Sequence, residues 1–290
     1  MRKGIILAGG YGSRLAPLTS AVSKQLLPVF DKPLIYYPLS TLILAGIREV
    51  LFITTPHDAA SFKRLLGDGA KWGMSFEFAV QKEPRGLADA YLIARNFLNG
   101  APSALILGDN IFYGHGLTQL LARAAQGEHA TVFASLVKNP HQFGIVELNE
   151  DNTPISIFEK PEKPRSKLAL TGLYFLNSDV CDFADAVVPS ARGELEITSI
   201  LEMYMNSNEL QVEVLHRGFA WFDAGTHESL QHASEFIRTV QGRQGLLICS
   251  PEEIAYRQGY ISRDQLALLA NELLQSSYGH ALAAIVEEET

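Results

Sequence analysis

Residues 4–34 read GIILAGGYGSRLAPLTSAVSKQLLPVFDKPL, an apolar run that stops at a glycine pair and continues into a loop with an Arg and a Lys. A strand that ends in Gly9 and Gly10 lets backbone N–H groups approach a phosphate without a side chain in the way. Arg14 can present a fork of donors to phosphate oxygens, and Lys24 can add a second positive charge. The glycines alone leave two interpretations open, a phosphate-binding loop and a plain glycine turn with solvated basic residues.

Two better-known phosphate-binding patterns do not fit this loop. A Walker loop requires Gly-Lys-Ser/Thr after four intervening residues, and the sequence lacks it. The dinucleotide fingerprint G-x-G-x-x-G fails because residues 16–18, Ala-Pro-Leu, stand where the third glycine and the helix should begin. A nicotinamide-dependent dehydrogenase is therefore disfavoured.

Outward from this loop, apolar runs alternate with helical patterns through the first half of the chain. The runs lie at 4–9, 49–54, 76–80, 103–109 and 130–137, and the helical patterns lie near 34–45, 59–66, 87–97 and 117–125. This alternation predicts βαβ units and an α/β fold with a Rossmann-like, mostly parallel sheet flanked by helices. Ligands of such sheets bind at the carboxyl ends of the strands.

The second half has a more mixed pattern. Hairpin-like alternation covers 144–161, a helical pattern covers 196–205, a strand candidate lies at 210–215, and Thr226 is a candidate cap for a helix to about Val240. The last residues are helical in pattern, with capping boxes at Ser250/Glu253 and Ser262/Gln265. We expect an α/β domain over 1–240 and a small C-terminal helical appendage over 241–290.

Composition limits the classes of partner. The chain has 290 residues, of which 47% are hydrophobic and 19% charged, and a formal net charge of −8. This charge argues against broad binding to nucleic acid or to an anionic membrane, because both require a basic field. The two cysteines lie far apart, without metal-ligand spacing, and no apolar run is long enough for a membrane span. We therefore expect a cytoplasmic protein whose anionic ligands are held by local cations.

Two aspartates stand at the ends of strand candidates. Asp109 ends SALILGD and Asp223 ends FAWFD, so both can project into one crevice at the edge of the sheet. A single aspartate at such a place is more often a turn or cap residue. A pair that faces a loop with Arg and Lys favours a magnesium site, because Mg²⁺ prefers a few carboxylates together with phosphate oxygens.

A series of motifs carries a resemblance to a known family: GIILAGGYGSRLAPLT, SKQLLPVFDKPLIYYPLSTLILAGI, LGDNIFYGH, FEKP, TGLYF, PSARGELEIT, WFDAGTH and CSPEEIAYRQGYI. They run from Gly4 to Ile261 in the family's order. On these residues the chain resembles the sugar-nucleotide pyrophosphorylases, and within them the branch that uses dTTP and glucose 1-phosphate. The resemblance implies a nucleotide half over about 1–135 and a sugar-phosphate half over about 136–240.

The resemblance also implies a reaction and its residues. The phosphate of glucose 1-phosphate would attack the α-phosphorus of dTTP with Mg²⁺ bound, giving dTDP-glucose and pyrophosphate by in-line displacement. The implied catalytic residues are Arg14, Lys24 and Lys160, and the implied metal ligands are Asp109 and Asp223. The nucleotide would contact Gly9, Gly10, Gly12, Ser13, Arg14, Lys24, Gln25, Gln81, Gly86 and Asp109. The sugar phosphate would contact Asn110, Gly144, Glu159, Lys160, Thr171 and Arg192.

Two positions depart from the family pattern. In GLADA, Asp89 stands where the family usually has Gln, one helical turn past Gly86, so fine base selectivity is left open. In HQFGIV, Phe143 stands where Tyr is common, so a hydroxyl near the sugar is missing. The base contact is expected from Gln81, whose amide can pair with an imide edge. Gly86, without a side chain, is expected to permit close approach of the base. Out of the family context, Gln81 would be interpreted as a surface residue.

The resemblance further implies a homotetramer that catalyses the first step of dTDP-L-rhamnose synthesis. It implies feedback inhibition by dTDP-rhamnose at a second site between subunits, with the helical tail and SPEEIAYR involved. Two alternatives stay open: a sister enzyme that uses UTP, and a non-catalytic sugar-nucleotide-binding regulator of the same fold. The regulator is disfavoured because a binder does not need both metal carboxylates.

Overall fold

The computed structural model describes residues 1–288. The strands of this part of the chain are β1 (Lys3–Ala8), β2 (Pro28–Val29), β3 (Lys32–Pro33), β4 (Glu49–Thr54), β5 (Ser75–Val80), β6 (Ser103–Leu107), β7 (Asn110–Gly114), β8 (Ala130–Leu136), β9 (Gly144–Leu148), β10 (Pro154–Glu159), β11 (Leu168–Leu176), β12 (Leu210–Leu215) and β13 (Phe219–Asp223). The helices are α1 (Tyr36–Leu44), α2 (Ala59–Leu66), α3 (Asp89–Leu98), α4 (Leu117–Gln126), α5 (Val180–Ala186), α6 (Ile197–Asn206), α7 (His227–Gln244), α8 (Pro251–Arg257), α9 (Arg263–Glu272) and α10 (Ser277–Glu288).

A central sheet of nine strands organises the molecule, in the order β10-β9-β11-β6-β1-β4-β5, with β8 between β11 and β12. Strand β1 lies between β4 and β6 and pairs with both in parallel. This confirms the α/β fold with a mostly parallel sheet, because a helix lies between each of these parallel strands and the next one along the chain, as in βαβ units. The sheet is mixed beyond β6, where β11 runs antiparallel to its neighbours.

The apolar runs are strands buried on both faces. In β1, Ile6 and Ala8 pack into the core cluster on one side of the sheet, and Ile5 packs into the cluster on the other side. The same alternation places Ile106 and Leu105 of β6 on opposite sides. A run without polar residues is what a strand with two buried faces requires.

A small antiparallel ribbon, β7 with β13, lies off the central sheet. Its register pairs Asn110 with Asp223 and Gly114 with Phe219. The FAWFD strand agrees with the expected one, whereas β7 was not expected as a strand. The ribbon brings the two strand-end aspartates to neighbouring positions.

The C-terminal helices pack against the main core. Ala255, Leu266 and Leu282 belong to the same buried cluster as Ile6 and Trp72. The helical character expected for 241–290 agrees with α8, α9 and α10, although α7 continues past the expected end at Val240. The division into a 1–240 domain and an appendage stays a prediction. No helix within residues 1–288 is long and apolar enough to cross a lipid bilayer.

The helix caps follow the sequence signals with one exception. Thr226 caps α7 in a capping box with Ser229, and Ser262 caps α9 in a box with Gln265. Ser250 accepts from the Glu253 backbone N–H, but the Glu253 carboxylate accepts from Arg257 Nε at 2.8 Å. The expected box at Ser250 is therefore only half formed, because a guanidinium is a stronger donor than a backbone amide.

Candidate functional site

The glycine loop after β1 borders a crevice at the carboxyl end of the sheet. Gly9 and Gly10 line a cavity of about 210 Å³ together with Gln81 and Gly86. A Cβ added to Gly10 would meet only open space, whereas one on Gly9 would collide with Gln81 Oε1. The absence of side chains therefore keeps the crevice open at the backbone of the loop.

The loop continues through a left-handed residue into a short 3₁₀ turn. Gly12 has φ of 62°, and its carbonyl accepts from Thr19 Oγ1 at 2.9 Å. The 3₁₀ turn covers Ser13–Leu15, and Leu15 is fully buried. This anchor holds the exposed side chain of Arg14 at the mouth of the crevice.

Arg14 lies between two larger cavities. It lines one of about 390 Å³ and another of about 320 Å³. Its guanidinium lies against Gly225, where an added Cβ would come within 2.7 Å of one terminal nitrogen. Within residues 1–288 the side chain of Arg14 makes no ion pair, so its donors are available to an anionic ligand.

Lys24 and Asp109 form an ion pair beneath this loop. Asn110 Nδ2 donates to the other carboxylate oxygen of Asp109 at 3.0 Å. Burial disfavours the charged carboxyl, but the Lys24 charge and these hydrogen bonds outweigh it and hold the pKa of Asp109 below its ordinary value. Asp109 is therefore a carboxylate, and Lys24 neutralises it.

Asp223 lies beside this pair at the end of β13. The backbone N–H of Ala224 donates to the Asp109 carbonyl at 3.0 Å, which fixes the two aspartates relative to each other. Burial and the negative charge of Asp109 raise the pKa of Asp223 to about 6, against the opposing charges of Lys24, Arg14 and Lys160. Asp223 is thus an ionised carboxylate at neutral pH that lacks a dedicated counter-ion.

These two carboxylates fit a magnesium ion. Within residues 1–288 no cluster of three or more His, Cys, Asp or Glu side chains is arranged to hold a metal ion. Mg²⁺ commonly takes one or two carboxylates and completes its shell with phosphate oxygens and water. The half-buried, under-neutralised Asp223 and the neighbouring Asp109 are the donor set that such an ion requires, provided that a phosphate ligand supplies the rest.

We expect Asp223→Asn to stabilise the metal-free protein. Because the folded state raises the pKa of Asp223 from 3.8 to about 6, wild-type stability falls as pH rises from about 4 through 6. An amide escapes this cost, which amounts to about 3 kcal/mol above pH 6, or a rise in Tm of about 5 °C. Thermal unfolding in EDTA at pH 4 and pH 8 measures it.

The matched control for this variant is Asp179→Asn. Asp179 accepts from the Tyr204 hydroxyl at 2.5 Å, away from the crevice, so its amide variant leaves the charges around Asp223 unchanged. If Asp223→Asn has the wild-type Tm at pH 8, the prediction that the charged Asp223 lowers stability is wrong.

Asn110 is oriented by three partners in the cavity of about 390 Å³. Trp221 Nε1 donates to Asn110 Oδ1 at 2.6 Å, and the backbone N–H of Gly172 donates to the same oxygen at 3.1 Å. The amide nitrogen is directed to Asp109. Asn110 therefore connects the Asp109 carboxylate to the wall of this cavity.

The opposite wall carries Glu159 and Lys160 at the end of β10. Lys160 has φ of 43°, a left-handed backbone that residues with side chains seldom adopt and that occurs often at functional sites. Its Nζ lies 3.6 Å from Glu159 Oε1. Burial raises the pKa of Glu159, with Lys160 and Arg192 opposing this effect. Gly144 faces Glu159 without a side chain in between.

Thr171 lies in a gap of the sheet. The register of β11 on β8 shifts between Leu170 and Tyr174, so the residues between them leave the regular pairing. Thr171 Oγ1 is buried and has no hydrogen-bond partner within residues 1–288. A buried hydroxyl without a partner at a cavity wall is suited to a polar ligand.

The structure brings most of the expected residues to these cavities. The cavity walls include Gly9, Gly10, Arg14, Gln81, Gly86, Asn110, Gly144, Glu159, Lys160, Thr171 and Asp223. Gly12, Ser13, Lys24 and Asp109 lie directly behind these walls, in the loop or in the ion pair. Gln25 and Arg192 do not line these cavities, and their expected ligand contacts stay predictions.

Gln25 and Arg192 are engaged with other protein groups. Gln25 is buried beneath Gly108, and its Oε1 accepts from Ser23 Oγ at 2.5 Å. The Arg192 guanidinium contacts the carboxylates of Glu159, Glu194 and Glu196 at 3.1, 3.6 and 2.8 Å. A guanidinium shared by three carboxylates holds Glu159 in place, and it does not line the cavity.

Two expectations about the base end are corrected. Gln81 is not a surface residue, since it is only 5% exposed. The reason for a glycine at position 86 also differs: φ is 112°, and an added Cβ would collide with the backbone of Leu195. Leu195 N–H donates to the Arg85 carbonyl at 2.7 Å. Gly86 therefore allows two backbone segments to approach each other.

Sequence reasoning missed the aromatic floor of the larger cavity. Phe143 and Trp221 pack edge to face, with ring centroids 5.3 Å apart, and both line the cavity. Trp221 and Asp223 stand two residues apart on β13, so their side chains share one face of the strand. That alternation in FAWFD was a readable signal for Trp221.

Comparison with known proteins gives consistent matches over nearly the whole chain. Residues 3–240 match the family described as nucleotidyl transferase. A glucose-1-phosphate thymidylyltransferase of Xanthomonas campestris pv. campestris is 56% identical over 287 residues, 99% of this chain and 97% of the relative. A protein of the same name from Mycolicibacterium smegmatis is 54% identical over 287 residues, 99% of this chain and 100% of the relative.

Solved structures share the fold. A structure described as a candidate glucose-1-phosphate thymidylyltransferase from Bacillus anthracis, in complex with a sucrose, aligns with a TM-score of 0.75 and 38% identity, covering 82% of this chain and 96% of that one. A UDP-glucose pyrophosphorylase complexed with UDP-glucose aligns with a TM-score of 0.74 at 24% identity, covering 83% and 99%. At that identity the second likeness extends to the fold alone.

Proposed function

Because this chain belongs to the nucleotidyl transferase family and is an enzyme of that family, we propose that it converts dTTP and glucose 1-phosphate to dTDP-glucose and pyrophosphate. The activity is the one named for its relatives at 50% identity and above. The observation that carries the proposal is the carboxylate pair Asp109 and Asp223: Asp223 lines the cavity of about 390 Å³, and the hydrogen bond from the Ala224 N–H to the Asp109 carbonyl fixes Asp109 beside it.

The nucleotide would lie along the glycine loop. Gly9, Gly10, Gly12 and Ser13 leave room for the triphosphate, and Gln81 borders the end of the crevice where the base would bind. Arg14 would grip the leaving pyrophosphate with its unpaired guanidinium, since a fork of donors matches phosphate oxygens. As the nucleotide binds, Lys24 would exchange its ion pair with Asp109 for an ion pair with the triphosphate.

The sugar phosphate would occupy the larger cavity. Lys160 would neutralise its phosphate and direct it at the α-phosphorus, which is the positioning that a direct displacement requires. Glu159, Asn110 and the unpartnered Thr171 hydroxyl would bind the sugar hydroxyls. Gly144 leaves space next to Glu159, and Arg192 holds that carboxylate from behind.

Magnesium is the proposed metal, with Asp109 and Asp223 as its protein ligands. When bound, it would neutralise phosphate oxygens and polarise the α-phosphoryl group. The chain's own contribution is to hold both carboxylates next to each other in a site with little water.

The proposal extends to context. We place the enzyme in the cytoplasm, which suits the free, buried thiols of Cys181 and Cys249. We propose that it acts as a homotetramer in the first step of dTDP-L-rhamnose synthesis, and that dTDP-rhamnose inhibits it at a second site. No nucleic-acid or membrane partner is proposed, given the net charge of −8.

An assay of substrate pairs tests the proposed function. Purified protein with Mg²⁺ is given each of dTTP, UTP and dCTP with glucose 1-phosphate or galactose 1-phosphate, and pyrophosphate release is measured. We expect the highest kcat/KM for dTTP with glucose 1-phosphate. A clear preference for UTP would indicate the sister enzyme, and nucleotide binding without any pyrophosphate release would indicate the regulator.

A further inference from the structure

The amide of Gln81 has one buried partner. Gln81 follows β5 directly, and its backbone N–H donates to the Thr54 carbonyl at 2.9 Å, which extends the pairing of β5 with β4. Its side chain is confined between Gly9 and α3, and Nε2 donates to Asp89 Oδ2 at 2.9 Å. The other amide atom, Oε1, lies next to Gly9 at the wall of the crevice.

Asp89 can only accept this hydrogen bond. It is the first residue of α3 and is 6% exposed. Its second oxygen, Oδ1, lies 2.9 Å from an Arg85 guanidinium nitrogen, so Asp89 is a paired carboxylate. A carboxylate has no proton to donate, and a reversed Gln81 amide would place two oxygens against each other without a donor.

An amide at position 89 would not restrict the Gln81 amide to one orientation. The glutamine usual in the resembling family can accept with its oxygen or donate with its nitrogen, so either orientation of the Gln81 amide would be satisfied. The carboxylate of Asp89 permits one orientation. It directs the Gln81 NH₂ group away from the crevice and leaves Oε1, an acceptor, toward it.

A fixed acceptor discriminates between bases. Thymine and uracil carry a ring N3–H that can donate to Gln81 Oε1. Cytosine has an unprotonated N3 at the same position, so its lone pair would face the amide oxygen, and its exocyclic group is a donor where thymine has a carbonyl. A free amide could turn its NH₂ group toward cytosine, whereas the amide held by Asp89 cannot.

We propose that Asp89 is a positioning residue that fixes the orientation of the Gln81 amide and thereby selects pyrimidine nucleotides with a ring N3–H over cytidine nucleotides. This inference rests on the proposed function for its substrate class. It concerns this chain's own Asp89, since a glutamine at the same position does not impose it.

The test is a ratio of binding constants for the whole protein. Binding of dTTP and dCTP is measured by calorimetry with Mg²⁺ and without sugar phosphate, for wild type and Asp89→Asn. The variant keeps the size of the side chain but can donate as well as accept. We expect the preference for dTTP over dCTP to fall about tenfold or more. Partial misfolding lowers the number of sites for both nucleotides and leaves this ratio unchanged.

Two further variants separate positioning through Gln81 from other effects. Asp89→Asn is repeated in a Gln81→Ala background, where we expect no further change in the ratio, because the amide that Asp89 orients is gone. Asp58→Asn is the matched control, since Asp58 also stands at the start of a helix at this edge of the sheet and accepts from Thr55 Oγ1 at 2.7 Å. It should keep the wild-type ratio.

Kinetics give a second readout. In pyrophosphate release, we expect Asp89→Asn to raise kcat/KM for dCTP about tenfold and to change kcat and KM for dTTP less than about threefold, because the freed Gln81 amide can turn toward cytosine and can still accept from the thymine N3–H. An unchanged dTTP/dCTP ratio in Asp89→Asn, or an equal drop in the Gln81→Ala background, would overturn the inference. A wild type that binds dTTP over dCTP but releases no pyrophosphate would refute the proposed function alone.

Discussion

Asp109→Ala and Asp223→Ala are each expected to lower pyrophosphate release from dTTP and glucose 1-phosphate by at least about 10³-fold, with the protein still folded. Asp223 lines the cavity of about 390 Å³, and the hydrogen bond from the Ala224 N–H to the Asp109 carbonyl holds Asp109 beside it. Loss of either leaves a single carboxylate for the metal. Several kcal/mol of charge stabilisation in the transition state depend on that ion.

The two variants should differ in a second measurement. Asp109→Ala also removes the acceptor of Lys24 and Asn110, so it should lower thermal stability. Asp223→Ala removes an under-neutralised charge, so it should not. Equal loss of activity with opposite effects on Tm would separate the chemical role from folding.

Turnover at different Mg²⁺ concentrations completes this test. We expect the residual activity of both variants to require more Mg²⁺ than the wild type does, whereas Asp179→Asn should have the wild-type requirement. Wild-type turnover in either Ala variant would refute the assignment of these carboxylates.

Arg14→Ala is expected to lower kcat by about 10² to 10³-fold, the second largest effect. A guanidinium that contacts the leaving pyrophosphate stabilises charge that develops in the transition state, an effect worth several kcal/mol. Arg14 makes no ion pair within residues 1–288 and lies at the mouth of both larger cavities, so its removal breaks no ion pair and withdraws only one of the three charges that favour ionised Asp223. The loss should therefore appear mainly in kcat, with a small change in Tm.

The reverse reaction identifies which group Arg14 contacts. With dTDP-glucose and pyrophosphate as substrates, Arg14→Ala should raise the KM for pyrophosphate more than the KM for dTDP-glucose. Arg14→Lys keeps the charge but not the fork, and we expect it to recover only part of the rate. Arg64→Ala, an exposed arginine on α2, is the matched control. A change in kcat below about threefold in Arg14→Ala would show that Arg14 does not stabilise the transition state.

The sequence predicts the fold well where the signal is local. The alternation of apolar runs and helical patterns identifies the strands around β1, since a strand buried on both faces has no polar residue to confuse it with a surface element. The glycine loop with Arg14 can also be recognised from the sequence, because the residue types that characterise it are adjacent along the chain.

The sequence does not predict contacts between distant segments. Strand β7 was missed because NIFYG is short and gains its pairing only from β13, far along the chain. Gln81 looks polar and solvent-exposed until Asp89 is seen to accept its hydrogen bond. Arg192 looks like a phosphate ligand until three carboxylates are found around it. In each case a partner that the local pattern does not reveal decides the environment, whether that partner is distant, as β13 is from β7, or near, as Asp89 is to Gln81.

The ribbon of β7 and β13 has a consequence for the order of folding. Pairing Gly114 with Phe219 closes a loop that contains β8 to β12. Closing so long a loop costs conformational entropy, which is offset only after the intervening strands have formed their own contacts. The sheet can therefore form while the ribbon is still open. A late-stage species with a native-like sheet but separated aspartates would be compact and inactive, and recovery of activity on refolding should lag behind recovery of secondary structure.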